Sequence, residues 1–266
     1  MFDAFYGFKA TPFCRGIDAC AIYRDPDRLE ILKRLNYAAN SRLFVVLTGD
    51  SGSGKTTLLR HFNSEISPSG FSVIYVSDHI LTPRHFYKGI LEQMGYEAKY
   101  HRGDALRQLH REVELLKAVH NISPVLIVDE AHLLKRDMLE EVRFLLNMSM
   151  DSQSPLALIL AGQTELWEKL RLHSFTAIRQ RVDILCHVAK LDRSGIADYI
   201  SSHLAYAGCV KNIFSDAAID EILKFSNGLP RLVNKAATAA LFYGAQNQKN
   251  IIDDHMVKLV IDGELA

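Results

Sequence analysis

The sequence predicts an α/β protein, a parallel sheet with helices over both faces, followed by a small helical bundle. Three observations carry this. Short, wholly apolar runs such as "RLFVVLT", "FSVIYV", "PVLIV" and "LALILAG" alternate with helical stretches. Strands apolar on both sides must be covered on both sides, which parallel sheets with crossover helices achieve. A glycine-rich loop, "GDSGSGKTT", follows the first run at the strand-to-helix junction. After about residue 190 the strands stop, and Ile196, Tyr199, Ile200 and Leu204 recur at helical spacing.

Each element follows in turn. Residues 1–24 are aromatic-rich (Phe2, Phe5, Tyr6, Phe8, Phe13) and broken by Gly and Pro, which predicts an extended segment packing on the core. In "DPDRLEILKRLNYAANS", Asp25 suits an N-cap and Pro26 the first helical position. "RLFVVLTG" is a buried strand and "GKTTLLRHFNSEIS" the helix behind the glycine loop. "FSVIYVS" is a second strand, and residues 82–121 read as two helices around "GYEAKYHRGD". "SPVLIVDEAH" is a third strand, "RDMLEEVRFLLNMSM" a helix and "PLALILAGQ" a fourth strand. "FTAIRQRVDIL" leads into the last strand of a core spanning 25–190. In the region 191–266, Ser215 suits an N-cap, with Phe214 and Ile219 as a hydrophobic staple.

Composition bounds the function. Lys plus Arg, 31, equals Asp plus Glu, 31, so any nucleic-acid contact must use a local patch. No run approaches the ~20 apolar residues that cross a bilayer, and the start, "MFDAFYGFKATPF", lacks the pattern of a signal peptide. The cysteines Cys14, Cys20, Cys186 and Cys209 form no C-x-x-C pair. Reduced thiols, a cytoplasmic location and no membrane partner are expected.

The loop satisfies G-x-x-x-x-G-K-[ST] through Gly49, Gly54, Lys55 and Thr56. The stretch Gly49, Asp50, Ser51, Gly52, Ser53, Gly54, Lys55, Thr56 and Thr57 is therefore the expected polyphosphate cradle. Its backbone N–H groups and the positive end of the next helix face the phosphates. Lys55 is expected to reach the β- and γ-phosphates of ATP and Thr56 to ligate Mg²⁺. The side chain of Asp50 is expected to point to solvent. "VLIVDEAH" ends a strand in Asp129 and Glu130. Asp129 suits the Mg²⁺ shell and Glu130 suits polarising an attacking water, which points to hydrolysis rather than phosphoryl transfer to an acceptor. His132 completes "DEAH", but a helicase needs a second motor domain for which there is no room. Gln163, at the end of the fourth strand, is placed to sense the γ-phosphate. Arg179 and Arg181, before the last strand, are equal candidates for an arginine acting on a neighbouring copy. Arg231, after Gly228 and Pro230, starts a helix of the terminal bundle and is expected to reach the γ-phosphate.

These elements in this order resemble an AAA+ ATPase: a parallel-sheet P-loop NTPase core with a C-terminal helical lid. "GDSGSGKTT" is similar to Walker A, "VLIVDEAH" to Walker B, Gln163 to sensor 1, Arg179 or Arg181 to the arginine finger and "GLPR" with Arg231 to sensor 2. "FDAFYGFKATPF", "LKRLNYAANSRLFVVLTGDSGSGKTTLL" and "LAGQTEL" resemble the ExeA/TniB branch, which holds both a secretion ATPase and TnsC/MuB-type transposition regulators. The chain reaches Ala266 without the membrane span and cell-wall-binding region of the secretion type, which favours the second group. That resemblance implies an ATP-dependent homo-oligomer, ring or filament, on double-stranded DNA. It also implies a transposase and a target-selection protein as partners, with hydrolysis driving disassembly. The alternative is a secretion-associated ATPase that ignores DNA; a small-molecule kinase is a third reading. The expected phosphate-backbone contacts are Arg84, Lys88, Lys99, Arg102, Arg107 and Arg111, with Tyr96 and Tyr100 beside them. Lys135 and Arg136 follow in rank.

Overall fold

The computed structural model describes residues 2–14, 16–18, 21–77, 82–146 and 154–265. The chain forms two compact units. One comprises Arg28–Gly49 and Leu58–Val188, the other Met1–Asp27, Asp50–Thr57 and Ala189–Ala266.

The first unit holds a five-stranded parallel sheet: β1 (Phe44–Thr48), β2 (Phe71–Val76), β3 (Ser123–Val128), β4 (Ala157–Gly162) and β5 (Ile184–His187), in spatial order β2-β3-β4-β1-β5. The side-chain period of two sorts each inner strand onto two buried faces. Phe44 and Val46, Leu126 and Val128, and Leu158 and Leu160 face one cluster. This is closed by helices α4 (Pro83–Gln93), α5 (Arg102–His120), α6 (Arg136–Leu146), α7 (Thr164–Arg171) and α8 (Thr176–Arg179). Val45 and Leu47, Val125 and Ile127, and Ile159 and Ala161 face the other, under α2 (Pro26–Ser41) and α3 (Lys55–Glu65). The part of the expected helix at 147–150 lies outside the described residues, as does Cys20. Cys14, Cys186 and Cys209 are free thiols. No helix among the described residues is long and apolar enough to cross a membrane.

The second unit packs α9 (Arg193–Tyr206), α10 (Asp216–Ser226), α11 (Pro230–Gln246) and α12 (Asp254–Val260) around their own apolar cluster. Ser215 caps α10, accepting the Ala218 N–H at 3.1 Å, and Pro230 occupies the first position of α11. Gly228 holds φ +78°, and a Cβ there would meet the Leu191 carbonyl oxygen at 2.2 Å, so the turn into α11 admits only glycine. The opening segment departs from expectation in two ways. Residues Phe2–Tyr6 form a helical turn, α1, rather than extended chain. The segment joins the helical unit rather than the sheet core, with Phe2 edge-on to Phe242 and the Tyr6 hydroxyl donating to the Lys249 carbonyl. Its aromatic rings find their apolar partners on α11 and α9.

Phe13 reaches α9 by stacking on His203, whose Nδ1 accepts the Phe13 N–H at 3.2 Å. Burial holds the His203 imidazole down at about 4. The unfolded chain takes this proton near pH 6.5, so the neutral ring stabilises the fold fully above that pH. The contribution is lost as pH falls toward 4, by on the order of 3 kcal/mol. We expect the urea midpoint to drop between pH 7.5 and 5 in the parent protein, and to drop less in His203→Gln. Equal slopes in the two proteins would contradict this assignment.

Candidate functional site

Parallel pairing puts every strand's carboxyl end on one edge of the sheet. The chain leaves β1 at Gly49, β3 at Asp129 and β4 at Gln163, and these three strands are adjacent. Register pairs Thr48 with Gly162 and Val128 with Leu160, so the three exits lie at nearly the same level. Ligands in open α/β sheets bind at such an edge.

The loop residues 50–57 belong to the helical unit. Lys55 opens α3 with its side chain buried, and its Nζ donates to the Asp50 carbonyl at 3.0 Å. The same carbonyl accepts the Ser53 N–H at 3.1 Å, which curls the loop. Gly52 and Gly54 take φ +83° and +99°, and Thr56 lies exposed in the first turn of α3. Arg231 lies on this loop. Its N–H donates to the Gly52 carbonyl at 3.2 Å and its guanidinium to the Ser51 hydroxyl at 3.4 Å. A Cβ on Gly52 would lie 2.9 Å from the Arg231 Cβ, so glycine is needed both for the turn and for this approach. The Asp50 side chain keeps 38% of its surface exposed, and its carboxylate pairs there with Lys190 at 3.0 Å. A lysine just past the last strand neutralises the one acid in a loop built for anions.

In the sheet unit, Asp129 is held from two sides. Its Oδ1 accepts the Glu130 N–H and its Oδ2 the Tyr75 hydroxyl, each at 2.8 Å. Burial, then the bond to Asp129, pushes the Tyr75 phenol well above its usual range, so it stays a donor. Tyr75 lies on β2, one of the two outermost strands, and Gln93 at the end of α4 caps its backbone twice, accepting its N–H at 3.0 Å and donating to its carbonyl at 2.9 Å. Glu130 follows in the left-handed region (φ 52°, ψ 32°), a costly conformation for a non-glycine residue and one that clusters at functional sites. Gln163 is the N-cap residue of α7, and its amide nitrogen lies 3.1 Å from His132 Nε2.

Tyr75 and Lys190 escaped the sequence reading. The signals were a hydroxyl-tipped aromatic near the carboxyl end of an apolar strand, and an acid in the phosphate loop that needs a cation. Arg179 and Arg181 precede the edge strand β5; the Arg179 guanidinium donates to the Arg171 carbonyl at 2.9 Å.

The six cations expected on nucleic acid are all exposed, yet three are paired with carboxylates. Arg102 grips the buried Glu141 with Nε and Nη2, each at 2.8 Å, and Tyr87 donates to the same carboxylate at 2.6 Å. Arg107 pairs with Asp104 and Lys88 with Glu92, one helical turn away in each case. Arg102 thus spends its bidentate face on Glu141, while its side chain stays 43% exposed. Arg84 stacks over the Tyr100 ring at 3.9 Å, and Tyr96 packs partly against the sheet cluster rather than standing out. Arg84, Lys99 and Arg111 have no carboxylate at ion-pair distance among the described residues.

A parallel sheet with a glycine loop and lysine after β1, an acid pair after β3 and a helical unit whose arginine reaches that loop defines a P-loop nucleoside triphosphatase. The AAA domain family matches residues 38–170 of the 266. The chain belongs to that family of P-loop ATPases, which use ATP with Mg²⁺. General secretion pathway protein A of Aeromonas hydrophila is 30% identical over 245 residues, 91% of this chain and 44% of that protein. The chain therefore spans less than half the length of this relative. Among solved structures, Drosophila ORC bound to DNA superposes with a TM-score of 0.69 at 16% identity, covering 100% of this chain and 65% of that one. Cdc6p from Pyrobaculum aerophilum gives 0.67 at 17% identity, covering 94% and 68%. At such identities the likeness is one of fold.

Proposed function

We propose that this chain is an ATP-gated, DNA-binding switch of the transposition-regulator type. It assembles with copies of itself on double-stranded DNA when ATP and Mg²⁺ are bound, engages a transposase and a target-selection protein, and disassembles on hydrolysis in the cytoplasm. In this reading Lys55 and the loop amides hold the β- and γ-phosphates. Thr56 and, through water, Asp129 hold Mg²⁺. Glu130 polarises the attacking water and Gln163 reads the γ-phosphate. Arg231, in the first turn of α11, carries nucleotide state to the helical unit. Arg179 or Arg181 completes the site of a neighbouring copy.

The observation that carries the switch is the seating of Arg231 on the phosphate loop, which ties the start of a helix of the terminal bundle to the residues that would hold the nucleotide. The DNA-bound state of the Drosophila ORC structure and the exposed Arg84, Lys99 and Arg111 on and beside α4 and α5 support duplex DNA as partner. A single copy offers few such cations; an assembly repeats them, and summed phosphate contacts give sequence-independent affinity. A second reading, a secretion-associated ATPase acting on a protein or membrane partner, draws on the relative of that name.

Fluorescence anisotropy with a non-specific duplex separates the two. The switch requires binding that is stronger with ATP and Mg²⁺ than with ADP and falls steeply with salt, and that Lys99→Glu with Arg111→Glu weakens. Binding equally tight without nucleotide would overturn the gating. No binding under any nucleotide condition would favour the secretion reading.

A further inference from the structure

We infer that His132 is a positioning residue that ties the Glu130 carboxylate to the Gln163 amide, so that the two act as one unit. The inference rests on the reading above, in which Glu130 polarises water and Gln163 faces the γ-phosphate.

The backbone brings the ring into place. The left-handed Glu130 turns β3 into the short 3₁₀ turn Ala131–Leu133, closed by the Leu133 N–H on the Glu130 carbonyl at 3.0 Å. Two packing features hold this turn. Gly162 lets it lie close to β4, since a Cβ there would be 3.0 Å from the His132 nitrogen. Lys169, on α7, donates to the His132 carbonyl at 3.4 Å and the Leu134 carbonyl at 2.5 Å. The ring is thereby set against the start of α7, its side chain 12% exposed, while that of Glu130 is 45% exposed.

Both ring nitrogens are then engaged. Nδ1 lies 3.4 Å from Glu130 Oε2 and 3.4 Å from the Gln163 backbone nitrogen, and Nε2 lies 3.1 Å from the Gln163 amide nitrogen. A neutral imidazole carries one N–H. With the proton on Nδ1, the ring N–H faces Glu130 Oε2 at ion-pair distance and Nε2 accepts from the Gln163 amide, while the Gln163 backbone N–H gives up Nδ1 as its acceptor. With the proton on Nε2, Nδ1 accepts from the Gln163 backbone N–H instead. Nε2 must then find the amide oxygen, so Gln163 turns its amide over. Glu130 has its histidine donor in the first arrangement only. The orientation of the Gln163 amide and the anchoring of the carboxylate are two ends of one link, and a γ-phosphate that reorients Gln163 moves both.

Turnover and nucleotide affinity in single and paired variants test this. His132→Ala is expected to lower kcat by about 100-fold, as misplacement of a reacting group does, with nucleotide affinity unchanged. His132→Asn, which keeps a polar atom at the Nδ1 position, is expected to recover part of that loss. It also serves as the test variant if His132→Ala fails to fold. Gln163→Ala is expected to be costly in the parent but to add little in the His132→Ala or His132→Asn background, because a broken link cannot be broken twice. A structural role would instead lower the thermal midpoint and multiply the two losses. Parent-like turnover in both His132 variants, or multiplicative losses with Gln163→Ala, would overturn the inference and leave the hydrolytic reading standing. Parent-like turnover in Glu130→Gln would overturn that reading itself.

Discussion

Replacing Glu130 with glutamine is expected to leave ATP binding intact, lower turnover by roughly 10²–10⁴-fold and stabilise the ATP-bound assembly. Glutamine has the same shape and tolerates the same backbone, so the left-handed turn and the Asp129 Oδ1 bond to the residue 130 N–H survive. What goes is the ability to polarise and accept a proton from water. The side chain is 45% exposed, so its loss leaves no buried charge stranded. Removing a negative charge near polyphosphate does not weaken, and can strengthen, nucleotide binding. Phosphate release set against equilibrium nucleotide binding measures the split. Turnover at the parent rate would remove Glu130 from the chemistry.

Replacing Lys55 with alanine acts one step earlier, on binding. Its ammonium is buried at the first position of α3, where the helix presents its positive end, and it already leans on the Asp50 carbonyl. A charge-assisted bond to phosphate contributes about 1.5–3 kcal/mol. If two phosphates share this lysine, as proposed, the dissociation constant should rise by roughly 100-fold or more. Titration with a fluorescent ATP analogue measures this, and the thermal midpoint without nucleotide shows whether the fold is intact. A folded variant with parent-like affinity would contradict the placement of the polyphosphate on this loop.

The elements were legible because each is written locally. The apolar strands, the glycine loop, the acid pair, the Ser215 cap and the Pro230 start all depend on neighbours within a few residues, and the structure places each of them. What escaped depends on partners distant in sequence. The carboxylate that Arg102 grips lies 39 residues away on α6, and Lys190, the partner of Asp50, follows the last strand. The pairs Lys88–Glu92 and Arg107–Asp104 are another matter, being readable from helical spacing alone. A list of basic residues overstates a surface when carboxylates one turn away are left out. The opening aromatic segment was misread because α1 has five residues, too few to display a helical period.

The doubled grip of Gln93 on Tyr75 has a bearing on how copies can meet. An outermost strand ordinarily offers bare amides and carbonyls as a template on which a foreign strand can add. Here a side-chain amide imitates that foreign strand at one rung, beside the phenol that steadies Asp129. Sheet extension across this rim would have to evict the glutamine and disturb the acid it indirectly holds, so protomers that joined edge to edge there would do so at the expense of their own chemistry.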